Sequence, residues 1–174
     1  NIDVVVMGTK GETADKKITF GSNTLQVIKY VKCPVLAIPT VYVDVPPTRI
    51  LFSTDYLLPY KRRELKLVSS IAKCFASKVN FLYVSKFPPL SLRQQDNKTF
   101  LEAAFCDNQI SFHQESDADV TEAINTSIRK NNIDMLVMVN TRHSYLENIL
   151  YKSTIEKVGL QINIPFLVLQ NLPR

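Results

Sequence analysis

Hydrophobic positions follow two periods along this chain, one typical of strands and one typical of helices. Short apolar or alternating segments predict strands, most of them covered on both faces of a parallel sheet, at 3–7, 35–38, 49–54, 79–84, 109–113, 134–139 and 166–169. Apolar residues at helical spacing predict helices at about 22–31, 61–77, 98–105, 119–130 and 153–162. Strands that alternate with helices over short connections predict an α/β fold with right-handed crossovers.

The closing part of this pattern occurs twice. Residues 1–7 superpose without a gap on 132–138, and the match continues through Ser22 on Ser153 and Pro34 on Pro165. We therefore expect residues 1–39 to be the final strand, helix and strand of a first unit, 40–47 to be an extended linker, and 48–174 to be a complete unit with a five-stranded parallel sheet. By the same repeat, roughly 90 further residues of the first unit are expected to precede this chain. Because Pro34 and Pro165 open their strands, these strands are expected at the outside of a sheet.

Glycine is concentrated in one loop. Three of the four glycines, Gly8, Gly11 and Gly21, lie between a predicted strand and a predicted helix, which is where open α/β sheets bind ligands. Glycine allows the backbone to approach a phosphate, and the N–H groups of the helix start, with the hydroxyl of Ser22 as N-cap, point at an anion. The spacing is neither a Walker A loop nor a dinucleotide fingerprint. It predicts phosphate binding, with turn and cap glycines as the structural alternative.

These residues resemble a known family. The segments VMGTKG at 6–11, GSNT at 21–24 and CPVLAIP at 33–39 resemble the end of a universal stress protein domain of the UspA type, and RILFSTD at 49–55 resembles the opening strand of another. The resemblance implies a Rossmann-like fold, similar to that of adenine-nucleotide α-hydrolases. It also implies that ATP, with Mg²⁺, binds at a set of eight residues: Met7, Gly8, Gly11, Gly21, Ser22, Asn23, Thr24 and Asp55. Family members pair their last strands antiparallel, which implies that Val35 to Ile38 lies against Phe166 to Leu169 within one chain, or that two chains form a homodimer.

The second copy departs from the glycine pattern. Val139, Arg142 and Lys152 stand where Gly8, Gly11 and Gly21 stand in the first copy. Because bulky side chains prevent close backbone approach to a phosphate, the second loop is predicted to be degenerate. The first copy therefore has the loop without its own opening strand, and the second has Asp55 without the loop, so no single site in this chain is expected to be complete.

Composition and charge limit which partners and which cellular location the sequence predicts. The longest apolar stretches are only a handful of residues, so no membrane span is predicted. The net charge of +5 is spread along the chain, with Lys61, Arg62 and Arg63 as its densest run, and no nucleic-acid motif accompanies it. Three widely spaced cysteines, without an export signal, favour the cytoplasm.

Catalytic groups are sparse. His113 and His143 are the only histidines, and the sequence contains neither a nucleophile elbow nor a readable triad. Asp55 is open to three interpretations, as a general base, a magnesium ligand or a cap. The sequence therefore predicts a non-catalytic stress-response module with an ATP site in its first unit. Two alternatives stay open: a partner-binding pseudo-dimer without nucleotide, and an ATP-hydrolysing enzyme of the related fold, although the STDY at 53–56 is not the expected Ser-Gly-Gly-x-Asp loop.

Overall fold

A computed structural model describes residues 2–9, 20–57, 60–86, 89–116, 119–141, 146 and 162–171. Strands and helices alternate along these residues much as the apolar pattern predicts, while the helix expected at 153–162 lies outside them except for its last residue. In chain order the elements are β1 (Val5–Gly8), α1 (Ser22–Tyr30), β2 (Val35–Ile38), β3 (Arg49–Ser53), α2 (Arg62–Cys74), β4 (Lys78–Val84), α3 (Leu92–Ala104), β5 (Gln109–Glu115), α4 (Val120–Lys130), β6 (Met135–Asn140) and β7 (Phe166–Gln170). No helix within these ranges has the length and apolar character needed to cross a membrane.

The described strands form one sheet in the order β1-β2-β7-β6-β3-β4-β5. Strands β3 to β7 are parallel to one another, which confirms the predicted five-stranded parallel sheet. Strands β1 and β2 are parallel to each other and antiparallel to the other five. The carboxyl ends of β1 and β2 therefore lie at the opposite edge of the sheet from those of β3 to β7.

The antiparallel junction is the pairing of β2 with β7. Val35 stands opposite Val168 and Ala37 opposite Phe166, which confirms the predicted pairing within one chain. The expectation that proline-led strands lie at the outside is wrong, because both strands are interior. Each proline stands just before its strand, so its missing N–H leaves the ladder intact. The carbonyl oxygens of Pro34 and Pro165 instead accept hydrogen bonds from the neighbouring strands, each at less than 3 Å.

Helices cover the sheet on both faces. Helices α1 and α4 bury Ile28 and Ile124 on one face, and α2 and α3 bury Leu65 and Leu101 on the other. This two-sided burial is why the central strands are continuous apolar runs in the sequence. Strand β1 is less covered, since Val6 is 62% exposed on the face shared with α2.

Helix α3 begins earlier than the sequence analysis places it, at Leu92 instead of near Lys98. A capping box fixes this start: the Ser91 hydroxyl accepts from the Gln94 N–H at 3.4 Å, and the Gln94 side chain accepts from the Ser91 N–H at 3.0 Å. The predicted helix lacks its first turns because Leu92 is 80% exposed, so these turns show no apolar period. The Ser-x-x-Gln spacing was the available signal.

Candidate functional site

The carboxyl end of β1 and the amino end of α1 lie side by side. The Thr9 N–H donates to the Ile38 carbonyl at 3.0 Å, which extends the pairing of β1 with β2 by one residue. The Thr9 carbonyl accepts from the Gly21 N–H at 2.8 Å, and the Thr24 hydroxyl donates to the Gly8 carbonyl at 2.9 Å. These bonds bring Gly8, Gly21 and Thr24 together across the glycine loop.

The start of α1 differs from the predicted cap. Gly21, not Ser22, is the N-cap residue, and its carbonyl accepts the first intrahelical bond from Leu25 at 3.0 Å. No side chain of the described residues caps this helix. Ser22 and Asn23 are exposed in the first turn. Because the first N–H groups of a helix carry a partial positive charge, this uncapped turn is suited to an anion.

The two described glycines of this loop, Gly8 and Gly21, do not need glycine for their backbone angles. Gly21 has φ −70° and ψ 161°, and none of the described glycines has a positive φ. Their distinctive property here is the absence of a Cβ, which leaves space beside an exposed Gly8 at the end of β1. Met7, the residue before it, packs partly buried against the core beneath α1. Gly11 lies outside the described residues.

The second copy closes the equivalent position. Val139, the counterpart of Gly8, is only 8% exposed and packs in the core beneath α2 and α3. Asn140, the counterpart of Thr9, donates its side-chain amide to the Ile28 carbonyl of α1 at 2.9 Å. Arg142 and Lys152, the other replacements, lie outside the described residues.

Asp55 follows β3 and lies away from the glycine loop. Three strands separate β1 from β3, which is about 19 Å at the usual strand spacing. The antiparallel junction also puts the carboxyl end of β3 at the other edge of the sheet. The structure therefore brings Met7, Gly8, Gly21, Ser22, Asn23 and Thr24 to one place and leaves Asp55 at another.

Asp55 is held in a buried loop. Its Oδ1 accepts from the Leu57 N–H at 2.9 Å, and burial raises the pKa of its carboxyl despite this bond. The order of strands reverses between β3 and β6, so Asp55 stands at the switch point where sheets of this type bind ligands.

Two side chains of α3 support this loop, and the sequence analysis missed both. Gln94 donates to the Asp55 carbonyl at 2.9 Å, and Asn97 donates to the Tyr56 carbonyl at 2.6 Å. Tyr56 needs such support because its φ of 56° is costly for a residue with a side chain. Both amides precede Lys98, where the predicted helix begins, so the apolar period gives no sign of them.

The chemistry available at these two places is mainly hydrogen bonding. The described residues include no group of three His, Cys, Asp or Glu side chains that could hold a metal ion. His113 is exposed on β5, an edge strand, with its Nε2 at 3.0 Å from the Ser111 hydroxyl. His143 lies outside the described residues. The glycine loop offers backbone donors, and Asp55 offers one buried carboxyl.

Comparison with known proteins connects the glycine loop to one family. Residues 1–39 match the model of the universal stress protein family. A comparison with curated protein sequences found no match.

Solved structures with the same fold come from several universal stress proteins. One from Archaeoglobus fulgidus DSM 4304 is 20% identical with a TM-score of 0.66, and the alignment covers 97% of this chain and 60% of that one. A protein of Pseudomonas aeruginosa UCBPP-PA14, assigned to the same group, is 15% identical with a TM-score of 0.59, over 97% of this chain and 63% of that one. This chain thus spans about three fifths of the length of these two relatives.

A shorter relative was solved with a ligand. It is a universal stress protein in complex with cAMP, 18% identical with a TM-score of 0.53, and the alignment covers 72% of this chain and 98% of that one. At these identities the likeness concerns the fold.

Proposed function

We propose that this chain is a universal stress protein, a non-catalytic stress-response module that binds an adenine nucleotide at its glycine loop. Residues 1–39 match the model of that family, and solved universal stress proteins share the fold. The observation that carries the proposal is the uncapped start of α1 beside the exposed glycine that ends β1. A helix start of this kind binds phosphate through backbone N–H groups and the helix dipole. The relative that binds cAMP supports an adenine nucleotide as the ligand class.

Each residue of the loop has a role in this proposal. Ser22 and Asn23, both exposed in the first turn of α1, would donate to the phosphates of ATP. Gly8 and Gly21 would leave space for them, with Gly11 completing the loop. Two further residues act as the frame, since Met7 packs in the core and Thr24 uses its hydroxyl on the Gly8 carbonyl. Mg²⁺ would arrive with ATP and neutralise its phosphate charge.

The proposal includes two units, with the division at the linker of residues 40–47, and a degenerate site in the second. Val139 supports this asymmetry, because its side chain fills core space where Gly8 leaves an open surface. Asp55 would belong to the second site, since it stands at the other edge of the sheet. The proposed location is the cytoplasm.

Isothermal titration of this chain with MgATP and with cAMP tests the proposal. Gly8→Val introduces the residue of the second copy at an exposed strand position, and Asn23→Ala removes a donor. We expect about a tenfold loss of affinity in Asn23→Ala, as for one charge-assisted hydrogen bond. Gly8→Val should also weaken binding, because the valine side chain occupies space beside the loop. Gln26→Ala, an exposed position one turn further along α1, is the matched control and should leave binding unchanged.

The same titration, with an assay for products released from ATP, separates the alternatives. Absence of binding to the unaltered chain would favour the partner-binding pseudo-dimer. Release of phosphate or pyrophosphate from ATP would favour the hydrolase. Binding that Asp55→Asn abolishes and Gly8→Val leaves intact would move the site to the opposite edge of the sheet.

A further inference from the structure

A cavity lies at the edge of the sheet opposite the glycine loop. It has a volume of about 350 Å³ and opens where α2 faces the residues that precede β1 and β2. Its walls come from residues 2–3, residues 32–34 and the outer side of α2. This volume is within the range of small-molecule sites, roughly 300–1,000 Å³. The nucleotide proposal makes no use of this cavity.

The cavity carries an excess of positive charge. Lys32, Arg63 and Lys66 line it, together with the carboxylates of Asp3 and Glu64. Arg63 is already paired, because its Nη2 lies 2.8 Å from the Asp3 carboxylate. Lys32 and Lys66 are exposed, and neither has an ion pair or hydrogen bond to any residue in the described ranges.

Glu64 does not cancel these two lysines. It is 7% exposed, and burial raises the pKa of its carboxyl to about 7, so near neutral pH much of it is uncharged. When it ionises, its charge is met by Lys61, by the Gln170 N–H and by Arg63. Lys32 and Lys66 therefore line the cavity without a counter-ion from the described residues.

The rest of the lining is apolar or weakly polar. Ile2, Pro34 and Leu67 supply an apolar wall, and the Ser70 hydroxyl lies on the same side of α2 as Lys66. Ile2 is 65% exposed, so a ligand that covered it would also gain from apolar burial.

We propose that this cavity is a binding site for a small organic phosphate, held by Lys32 and Lys66 through its phosphate and by the apolar wall through its organic part. A phosphate monoester carries a charge of about −1.5 to −2 near pH 7, which matches two ammonium groups better than a single carboxylate does. The site differs from the glycine loop in place and in chemistry, since it uses side-chain ammonium groups and not a helix N-terminus.

Titration of the 174-residue chain with phenyl phosphate, inorganic phosphate and benzoate tests the proposal. We expect phenyl phosphate to bind more tightly than either of the others, because only it combines the dianion with an apolar part. Lys32→Gln and Lys66→Gln should each weaken phenyl phosphate about tenfold, as for a charge-assisted hydrogen bond. Lys130→Gln, an exposed lysine at the end of α4, is the control and should leave the affinity unchanged.

The variants of the glycine loop separate this site from the nucleotide site. Binding of phenyl phosphate that survives Asn23→Ala and is weakened by the two lysine variants supports the proposal, whether or not MgATP binds. Loss of binding in Asn23→Ala with full binding in both lysine variants would overturn it. No binding to the unaltered chain, or equal affinities for benzoate and phenyl phosphate, would also overturn it.

Discussion

Glu64 is the clearest case of a single residue whose surroundings change its chemistry. It lies in the first turn of α2, where the helix dipole stabilises a carboxylate, yet it is almost fully buried. Burial is the largest influence and raises its pKa from 4.5 to about 7, against the opposing effects of Lys61, the Gln170 N–H and Arg63. An acidic residue is common in the first turn of a helix, so local structure accounts for its position. Its pKa depends also on Gln170 of β7, which lies over a hundred residues later in the sequence.

Replacement of Glu64 should therefore change how stability depends on pH. Between pH 4.5 and 7 the unfolded chain releases the proton of this carboxyl while the folded chain keeps it, so the free energy of unfolding falls as pH rises. The contribution is about 3 kcal/mol at most. Glu64→Gln should remove it, so that urea unfolding shows the variant gaining stability over the unaltered chain from pH 5 to pH 8. Glu102→Gln, an exposed change on α3, is the control. Parallel pH profiles for Glu64→Gln and the unaltered chain would contradict this prediction.

At the scale of elements, the start of α3 joins local and long-range structure. The Ser91 and Gln94 capping box is local, and it sets where the helix begins. The same Gln94 side chain donates to the Asp55 carbonyl at 2.9 Å and to the Tyr83 hydroxyl at 3.2 Å. The cap of one helix thus also fixes the loop after β3.

Loss of the cap should destabilise the protein measurably. Ser91→Ala removes the hydroxyl that accepts the Gln94 N–H, and we expect the free energy of unfolding to fall by about 1 kcal/mol. Ser70→Ala, at an exposed position inside α2, should have no such cost. Chemical denaturation of both variants measures the difference. Equal stabilities for the two would show that the capping box contributes nothing to α3.

At the scale of the whole molecule, two sets of hydrogen bonds join α1 and β2 to the rest of the chain, beside the shared hydrophobic core. One is the pairing of β2 with β7. The other is a pair of buried amides, since Asn140 and Gln170 both donate to the Ile28 carbonyl at 2.9 Å. This carbonyl belongs to the last turn of α1, where no intrahelical donor is available. The two amides therefore cap the carboxyl end of α1 from across the junction of β2 and β7.

The amide pair gives a test of coupling across this junction. Asn140→Ala and Gln170→Ala should each lower the free energy of unfolding by about 2 kcal/mol, because buried polar groups lose their partners. The double variant should lose less than the sum, since both amides serve one carbonyl and also bond each other. Gln26→Ala, an exposed amide on α1, is the control. Strict additivity in denaturant unfolding would argue against a shared contact.

Some features of this protein can be predicted from the sequence because their causes are local or repeated. The continuous apolar runs predict buried parallel strands, and the repeat of residues 1–7 at 132–138 points to equivalent strands. With the family resemblance, the repeat also led to the antiparallel contact of β2 and β7, which the structure confirms. Pattern reasoning failed where periodicity is weak, at the exposed first turns of α3, and where two signals compete, at Gly21 and Ser22.

By itself, the sequence determined the α/β class, the limits of most elements and the concentration of glycine after β1, because hydrophobic period and glycine spacing are properties of neighbouring residues. Only the tertiary structure decided which of these residues share a site. Strand order and direction place the glycine loop and Asp55 at opposite edges of one sheet. They also place Lys32 opposite α2 and bury Glu64 beneath the end of β7. Such contacts join residues far apart in the chain, so no local pattern encodes them.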